Sequence, residues 1–230
     1  MFTHRIRKKY ASLVHVGLSG AALGLLASVP AHAATVDYAT TATFSCSGCV
    51  ITHNGSGDVK VVYGTGANTA TIEFVGSPSG TSVETDGSFV TAGFGYIQAS
   101  STGKGSAING TFMLAIDQSS PNLSALTGAF PAATLSGTVA NNKSTSYATF
   151  GSSSDPEVTL GGPVTYELDT SKKFNTNTYG YTIVSPSTGN GRTSLQGNIS
   201  ATPEPTLLTL TAAGFFGLVA IASRRRPRTS

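Results

Sequence analysis

The sequence predicts an all-β domain, an antiparallel two-sheet sandwich of jelly-roll type, over residues 34–201. Three observations lead there. Apolar residues recur at every second position in several stretches, the period of a strand with one buried face. Gly, Pro, Ser and Asn cluster between those stretches, where tight turns need them. No window between Ala34 and Thr202 holds a helical period of useful length. A signal peptide at 1–33 and a membrane-directed tail at 202–230 flank the domain.

At the N-terminus, Arg5, Arg7, Lys8 and Lys9 precede an apolar segment from Ala11 to Val29. Ala31-His32-Ala33 then puts small side chains at the two positions a signal peptidase inspects, so cleavage is expected between Ala33 and Ala34. A transmembrane helix would want a longer, more uniform run without Pro30. The paired arginines of a twin-arginine signal are missing, which points to export of the unfolded chain by the general pathway.

About 170 residues remain for the body, enough for one domain with a real core. In Thr69–Phe74, Ala70, Ile72 and Phe74 share one face and Thr71 and Glu73 the other. Ile108, Gly110, Phe112, Leu114 and Ile116 alternate with Asn109, Thr111, Met113, Ala115 and Asp117. Val164, Tyr166 and Leu168 alternate with polar neighbours, and so do Leu195 and Ile199. Val59–Tyr63, Phe89–Ala99, Thr134–Ala140, Val158–Leu160 and Tyr179–Val184 are further candidates. Turn-formers separate them, among them Gly76-Ser77-Pro78-Ser79-Gly80 and Ser185-Pro186-Ser187-Thr188-Gly189. Eight to ten antiparallel strands at this spacing favour a sandwich. A parallel β-helix would want a fixed repeat of about 20 residues, and none is found.

Cys46 and Cys49, the only cysteines, are expected to pair in an oxidising compartment, with Gly48 giving the short loop its freedom. Three other chemistries compete for this pair. A thioredoxin-type site places its first Cys at a helix N-terminus, whereas Val50-Ile51-Thr52 is strand-like. Haem attachment needs His directly after the second Cys, and position 50 is Val. Zinc would recruit His53 and then carboxylates, for want of a fourth Cys or His.

After signal cleavage His53 is the sole histidine, so a Ser-His-Asp hydrolase would have to use it as base, and no G-x-S-x-G elbow accompanies it. The pairs Asp155 with Glu157, Glu167 with Asp169, and Glu84 with Asp86 stand two residues apart, a spacing that puts both carboxylates on one strand face. Glycoside hydrolysis or calcium binding by such pairs competes with simple surface solubility. For a sugar platform the nearest aromatic material is Tyr96, Tyr166, Tyr179 and Tyr181, since the chain lacks Trp. Five Asn-x-Ser/Thr matches begin at Asn54, Asn109, Asn122, Asn142 and Asn198, as chance gives in so Ser/Thr-rich a chain. No catalytic set, cofactor or metal site is expected.

The formal charge of +3 belongs to the flanking segments, each of which carries four basic residues. From Ala34 to Pro205, six basic residues face eleven acidic ones, a net charge of −5. That balance argues against a nucleic-acid partner, which needs a clustered basic surface.

The tail is the most specific feature. Pro203-Glu204-Pro205 precedes an uncharged apolar run, Leu207 to Ala222, and then Arg224, Arg225, Arg226 and Arg228. Sixteen residues make a helix of roughly 24 Å, short against a hydrocarbon core of ~30 Å, and snorkelling arginines extend its reach. Pro205 suits the first turn of that transmembrane helix, and the arginines hold its far end on the cytoplasmic side.

Over residues 202–230 the chain resembles the PEP-CTERM sorting tails of Gram-negative bacteria. The resemblance implies that a membrane-embedded cysteine protease, exosortase, reads Pro203-Glu204-Pro205 and cleaves nearby. The partners expected are therefore signal peptidase, exosortase, the membrane through residues 207–222, and an exopolysaccharide. The protein would be anchored in the inner membrane before processing and then reach the cell surface, outer envelope or extracellular matrix. A structural or adhesive role is expected of the body. A carbohydrate-binding module and an envelope hydrolase are the alternatives. Ice binding, also associated with such tails, would want a regular Thr-x-Thr array, which the chain does not display.

Overall fold

A computed structural model describes residues 33–201, apart from 55–56, 122–125, 152–153, 161–163, 171 and 176–177. The signal segment before Ala33 lies outside the described residues, as do Pro203, Glu204, Pro205, the run 207–222 and the four tail arginines. Ala33 is exposed, and the first strand begins at Ala34. Among the described residues no helix is long and apolar enough to cross a membrane.

The body is an antiparallel sandwich of two sheets. The first sheet runs β13 (Lys172–Asn175), β14 (Thr178–Ile183), β10 (Ser146–Phe150), β9 (Ala133–Val139), β7 (Ser106–Ser120), β1 (Ala34–Ser45) and β5 (Thr81–Thr85). An eighth strand, β8 (Leu126–Ala129), pairs with the far half of β7. The second sheet runs β11 (Glu157–Leu160), β12 (Val164–Leu168), β15 (Arg192–Ala201), β6 (Val90–Thr102), β4 (Asn68–Val75), β3 (Val59–Thr65) and β2 (Val50–His53).

Among the described residues, fifteen strands replace the eight to ten expected. The strongly alternating stretches fold as read: Ala70, Ile72 and Phe74 of β4 are buried, as are Ile108, Phe112, Leu114 and Ile116 of β7. Phe89 is a correction, since it precedes β6 and is 59% exposed. The long β1 is absent from the sequence expectation. Its inward face reads Val36, Tyr38, Thr40, Ala42 and Phe44, and a threonine and an alanine at its centre dilute the apolar signal.

Aromatic side chains fill the roughly 10 Å between sheets. Tyr38 meets Phe94 edge-on at 5.9 Å and Tyr166 at 6.1 Å, while Phe44 and Phe74 flank Phe112 at 5.2 and 5.8 Å. Such pairs add about 0.5–1.5 kcal/mol each beyond the burial of their area.

Hydrogen bonds also cross the core, and a bulge creates the need for them. Ser194 pairs with Tyr96 and Gln196 with Gly93, so Phe94 and Gly95 of β6 together oppose Leu195. Gly95 has φ 98°, and a Cβ there would strike the Val75 carbonyl. β1 meets the bulge from the other sheet. The Tyr38 hydroxyl donates to the Gly93 carbonyl at 2.9 Å, and the Thr40 hydroxyl donates to the Phe94 carbonyl at 3.1 Å. Ser77 Oγ adds a second donor to Gly93 at 2.7 Å. Two further tyrosines tie the sheets: Tyr166 to Gln118 Oε1 at 2.9 Å and Tyr181 to the Gln196 carbonyl at 3.2 Å.

These cross-ties can be tested one at a time. Tyr166→Phe removes the donor that reaches the buried Gln118 side-chain carbonyl, and we expect about 1–3 kcal/mol loss of stability in urea denaturation. A change near zero would remove that tie from the fold. A second test uses alkaline pH. Burial holds the phenols of Tyr38, Tyr63, Tyr166 and Tyr181 above their ordinary value of 10.0; Tyr38 adds to the shift of Tyr166, and Asp169 and Asp155 add to that of Tyr181. The folded form keeps protons that the unfolded chain loses, so this stability is full below pH 10 and drains away above it. Titration of phenolate absorbance should show these four ionising only as near-UV dichroism collapses. Their ionisation with the fold intact would contradict the burial.

Candidate functional site

Cys46 and Cys49 form a disulfide at the corner where the chain leaves β1 in the first sheet for β2 in the second. Gly48 supplies the left-handed residue of that corner, with φ 72°. Strand β2 begins directly after Cys49, in place of the helix whose N-terminus activates a redox cysteine. His53 ends β2 and is exposed. Among the described residues no group of three or more His, Cys, Asp or Glu side chains is placed to hold a metal ion.

The carboxylate pairs fall differently from the expectation, because each straddles the end of a strand. Asp155 precedes β11 and accepts from the Thr170 amide at 3.0 Å and from the Thr170 hydroxyl. Asp86 lies just past β5 and caps a turn through the Ser88 amide at 3.1 Å. Bonds from the Ser88 backbone and then its side chain hold the Asp86 carboxyl below its ordinary range. Strand pairing makes a pair that the spacing did not. Glu157 and Glu167 stand opposite one another on β11 and β12, with Asn198 of β15 next in the row. Like charges so placed oppose pairing.

The aromatic row expected for sugar stacking is not assembled. Tyr166 and Tyr181 are buried between the sheets, at 0% and 6% exposure. Tyr96 belongs to the second sheet, where the Arg192 guanidinium lies 4.3 Å above its ring, and Tyr179 belongs to the first. Hydroxyls, by contrast, line up across strands where no repeat along the chain shows them. Thr149, Thr134, Thr111 and Ser45 occupy successive register positions on β10, β9, β7 and β1, with neighbours about 4.8 Å apart. On the second sheet the Thr69 and Thr102 hydroxyls meet at 2.8 Å.

One concave feature lies along the seam between β14 and β15. The pairing of β12 with β15 stops at Leu168 and Gly197, so among the described residues no strand pairs with that edge of 192–196. β13 pairs with β14 only up to Gly180. The two open edges face each other, joined by side chains. Thr193 Oγ1 donates to the Thr182 carbonyl at 3.3 Å and accepts from the Val184 amide at 3.0 Å. At the other end the Gln196 carbonyl accepts from both the Tyr181 hydroxyl and the Asp169 amide, the latter at 2.9 Å. Between these ties lies a groove of about 360 Å³ whose lining includes Asp169, Tyr181, Val184, Ser194 and Gln196. No sequence pattern pairs Asp169 with Ser194, since only sheet topology brings them together. Compared with known proteins, the chain matches no family model, no curated protein and no solved structure.

Breaking the Cys46–Cys49 link by a double change to Ser should cost about 2 kcal/mol, the loop-closure value for so short a ring. Urea melts of the two forms measure it. Equal midpoints would mean the corner is held by packing alone.

Proposed function

We propose that this chain is an exported, non-enzymatic surface protein, sorted through its tail by exosortase and serving a structural or adhesive role. The observation that carries the proposal is the ordered composite of Pro203-Glu204-Pro205, the apolar run to Ala222 and the arginines at 224, 225, 226 and 228. A plain membrane anchor accounts for the last two parts and gives no reason for the first.

The body supports this role in three ways. Its disulfide suits an oxidising compartment. Its net charge of −5 between Ala34 and Pro205 keeps it soluble without a basic patch. Its cross-strand hydroxyl rows offer hydrogen-bonding surface that carries no charge of its own, suited to lying against a hydrated polymer. The chain starts in the inner membrane through residues 207–222, then passes to the surface or matrix, where exopolysaccharide is the partner.

Substituting Glu204→Ala in the native host tests the sorting step. We expect the variant to remain in the membrane fraction at a higher mass than the mature wild type. Unchanged mass and location would leave a plain anchor and remove exosortase from the scheme.

A further inference from the structure

We infer that the seam between β14 and β15 is a binding site for one neutral saccharide unit. The inference names the contact for the polymer-associated role above and rests on that role for its ligand class. It does not depend on how the tail is processed.

The shape of the seam narrows the ligand first. A third strand would need about 4.8 Å on each side. At the Thr193 end one side-chain hydroxyl spans the gap with bonds of 3.0 and 3.3 Å, so an extended peptide cannot pass. At the other end the Tyr181 hydroxyl and the Asp169 amide both meet the Gln196 carbonyl, so the groove lies between two bridges. Its volume of about 360 Å³ stands at the small end of ligand sites.

The chemistry narrows it further. The Gln196 carbonyl points into the seam, since it accepts from Asp169 and Tyr181. By strand alternation the Gln196 amide and both backbone groups of Ser194 face the same way, with no pairing strand among the described residues. These supply donors and an acceptor for ring hydroxyls. The Asp169 carboxylate makes no hydrogen bond among the described residues, in contrast to Asp155, which is taken up by Thr170. The Asp169 carboxylate accepts from neighbouring sugar hydroxyls and repels acidic sugars. Val184 gives an apolar wall for ring C–H groups.

The test uses the full chain in a sugar-free detergent, titrated calorimetrically with cellobiose, maltose, lactose and a glucuronate-containing disaccharide. At least one neutral disaccharide should bind with a Kd on the order of millimolar, and the acidic one should not. Asp169→Asn should weaken binding about tenfold or more, the loss expected for a hydrogen bond to a charged group. Val184→Trp should abolish it by filling the groove, and Glu84→Gln should leave it unchanged. Matching thermal midpoints establish that the variants are folded.

Failure of every neutral sugar to bind would overturn the inference. So would binding that survives both Asp169→Asn and Val184→Trp. Calcium or methylammonium titrating the site in place of sugar, with loss in Asp169→Asn, would replace the saccharide with a cation. Failed sorting with sugar binding intact would sink only the tail's role.

Discussion

Two adjacent backbone carbonyls at the bulge in β6, that of Phe94 in the core and that of Gly93 at its margin, set the terms for the rest of the sandwich. The bulge sets Phe94 and Gly95 together against Leu195, which takes Phe94 out of one-to-one register with β15. Left unmet in the interior, the Phe94 carbonyl would cost about 1–3 kcal/mol. The first sheet meets them with Tyr38 and Thr40, and the turn after β4 adds Ser77, whose amide in turn donates to Thr40 Oγ1 at 2.6 Å. This polar knot explains why β1 carries a threonine on its buried face. Tyr166 and Tyr181 repeat the device further along, each with its ring in the core and its hydroxyl on the opposite sheet. The opposite pattern holds where β3, β4 and β6 bring Tyr63, Ala70 and Ser101 into one row. There, among the described residues, the Tyr63 and Ser101 hydroxyls are buried without a hydrogen-bond partner.

How much of this is legible in the sequence depends on what each strand puts inward. β4, β7 and β12 bury Ile, Leu, Phe and Tyr at alternate positions, and the alternation alone identifies them. β1 and β10 bury Thr40, Ala42, Ser146 and Ala148, so their period is weak although neither is an edge strand of the first sheet. The same limit governs the sites. Cys46 and Cys49 are close in sequence, and their pairing can be read directly. Glu157 and Glu167, or Asp169 and Ser194, become neighbours only through register and topology, which no local pattern encodes. The tyrosines mislead for a related reason: an aromatic with a polar tip reads equally as a surface platform or a core strut, and Tyr166 and Tyr181 are struts.

The two sheets divide the labour that a surface role would demand. Their inner faces hold the aromatic core and the cross-ties, which fix the strands. Their outer faces carry many threonine, serine and asparagine side chains, with charged residues such as Lys60, Glu73, Glu157 and Glu167 among them. At the seam of β14 and β15, strand edges and the Asp169 carboxylate converge. It exists because Thr193 and Tyr181 bridge by side chain a gap that backbone pairing does not close. The disulfide sits at another such junction, where the chain passes from one sheet to the other. Stability and exposed chemistry thus both concentrate where the sheets meet.

Export and sorting would determine which part of the chain ever works as a mature protein. If the flanking segments are handled as proposed, the basic residues leave with them and the acidic sandwich alone meets its surroundings. The intact mass of the protein recovered from the surface of its native host tests this most directly. The expected species begins at Ala34 and lacks the residues beyond the Pro203-Glu204-Pro205 motif. A mass that includes the apolar run and all four tail arginines would contradict the proposed sorting and leave a membrane-bound sandwich in its place.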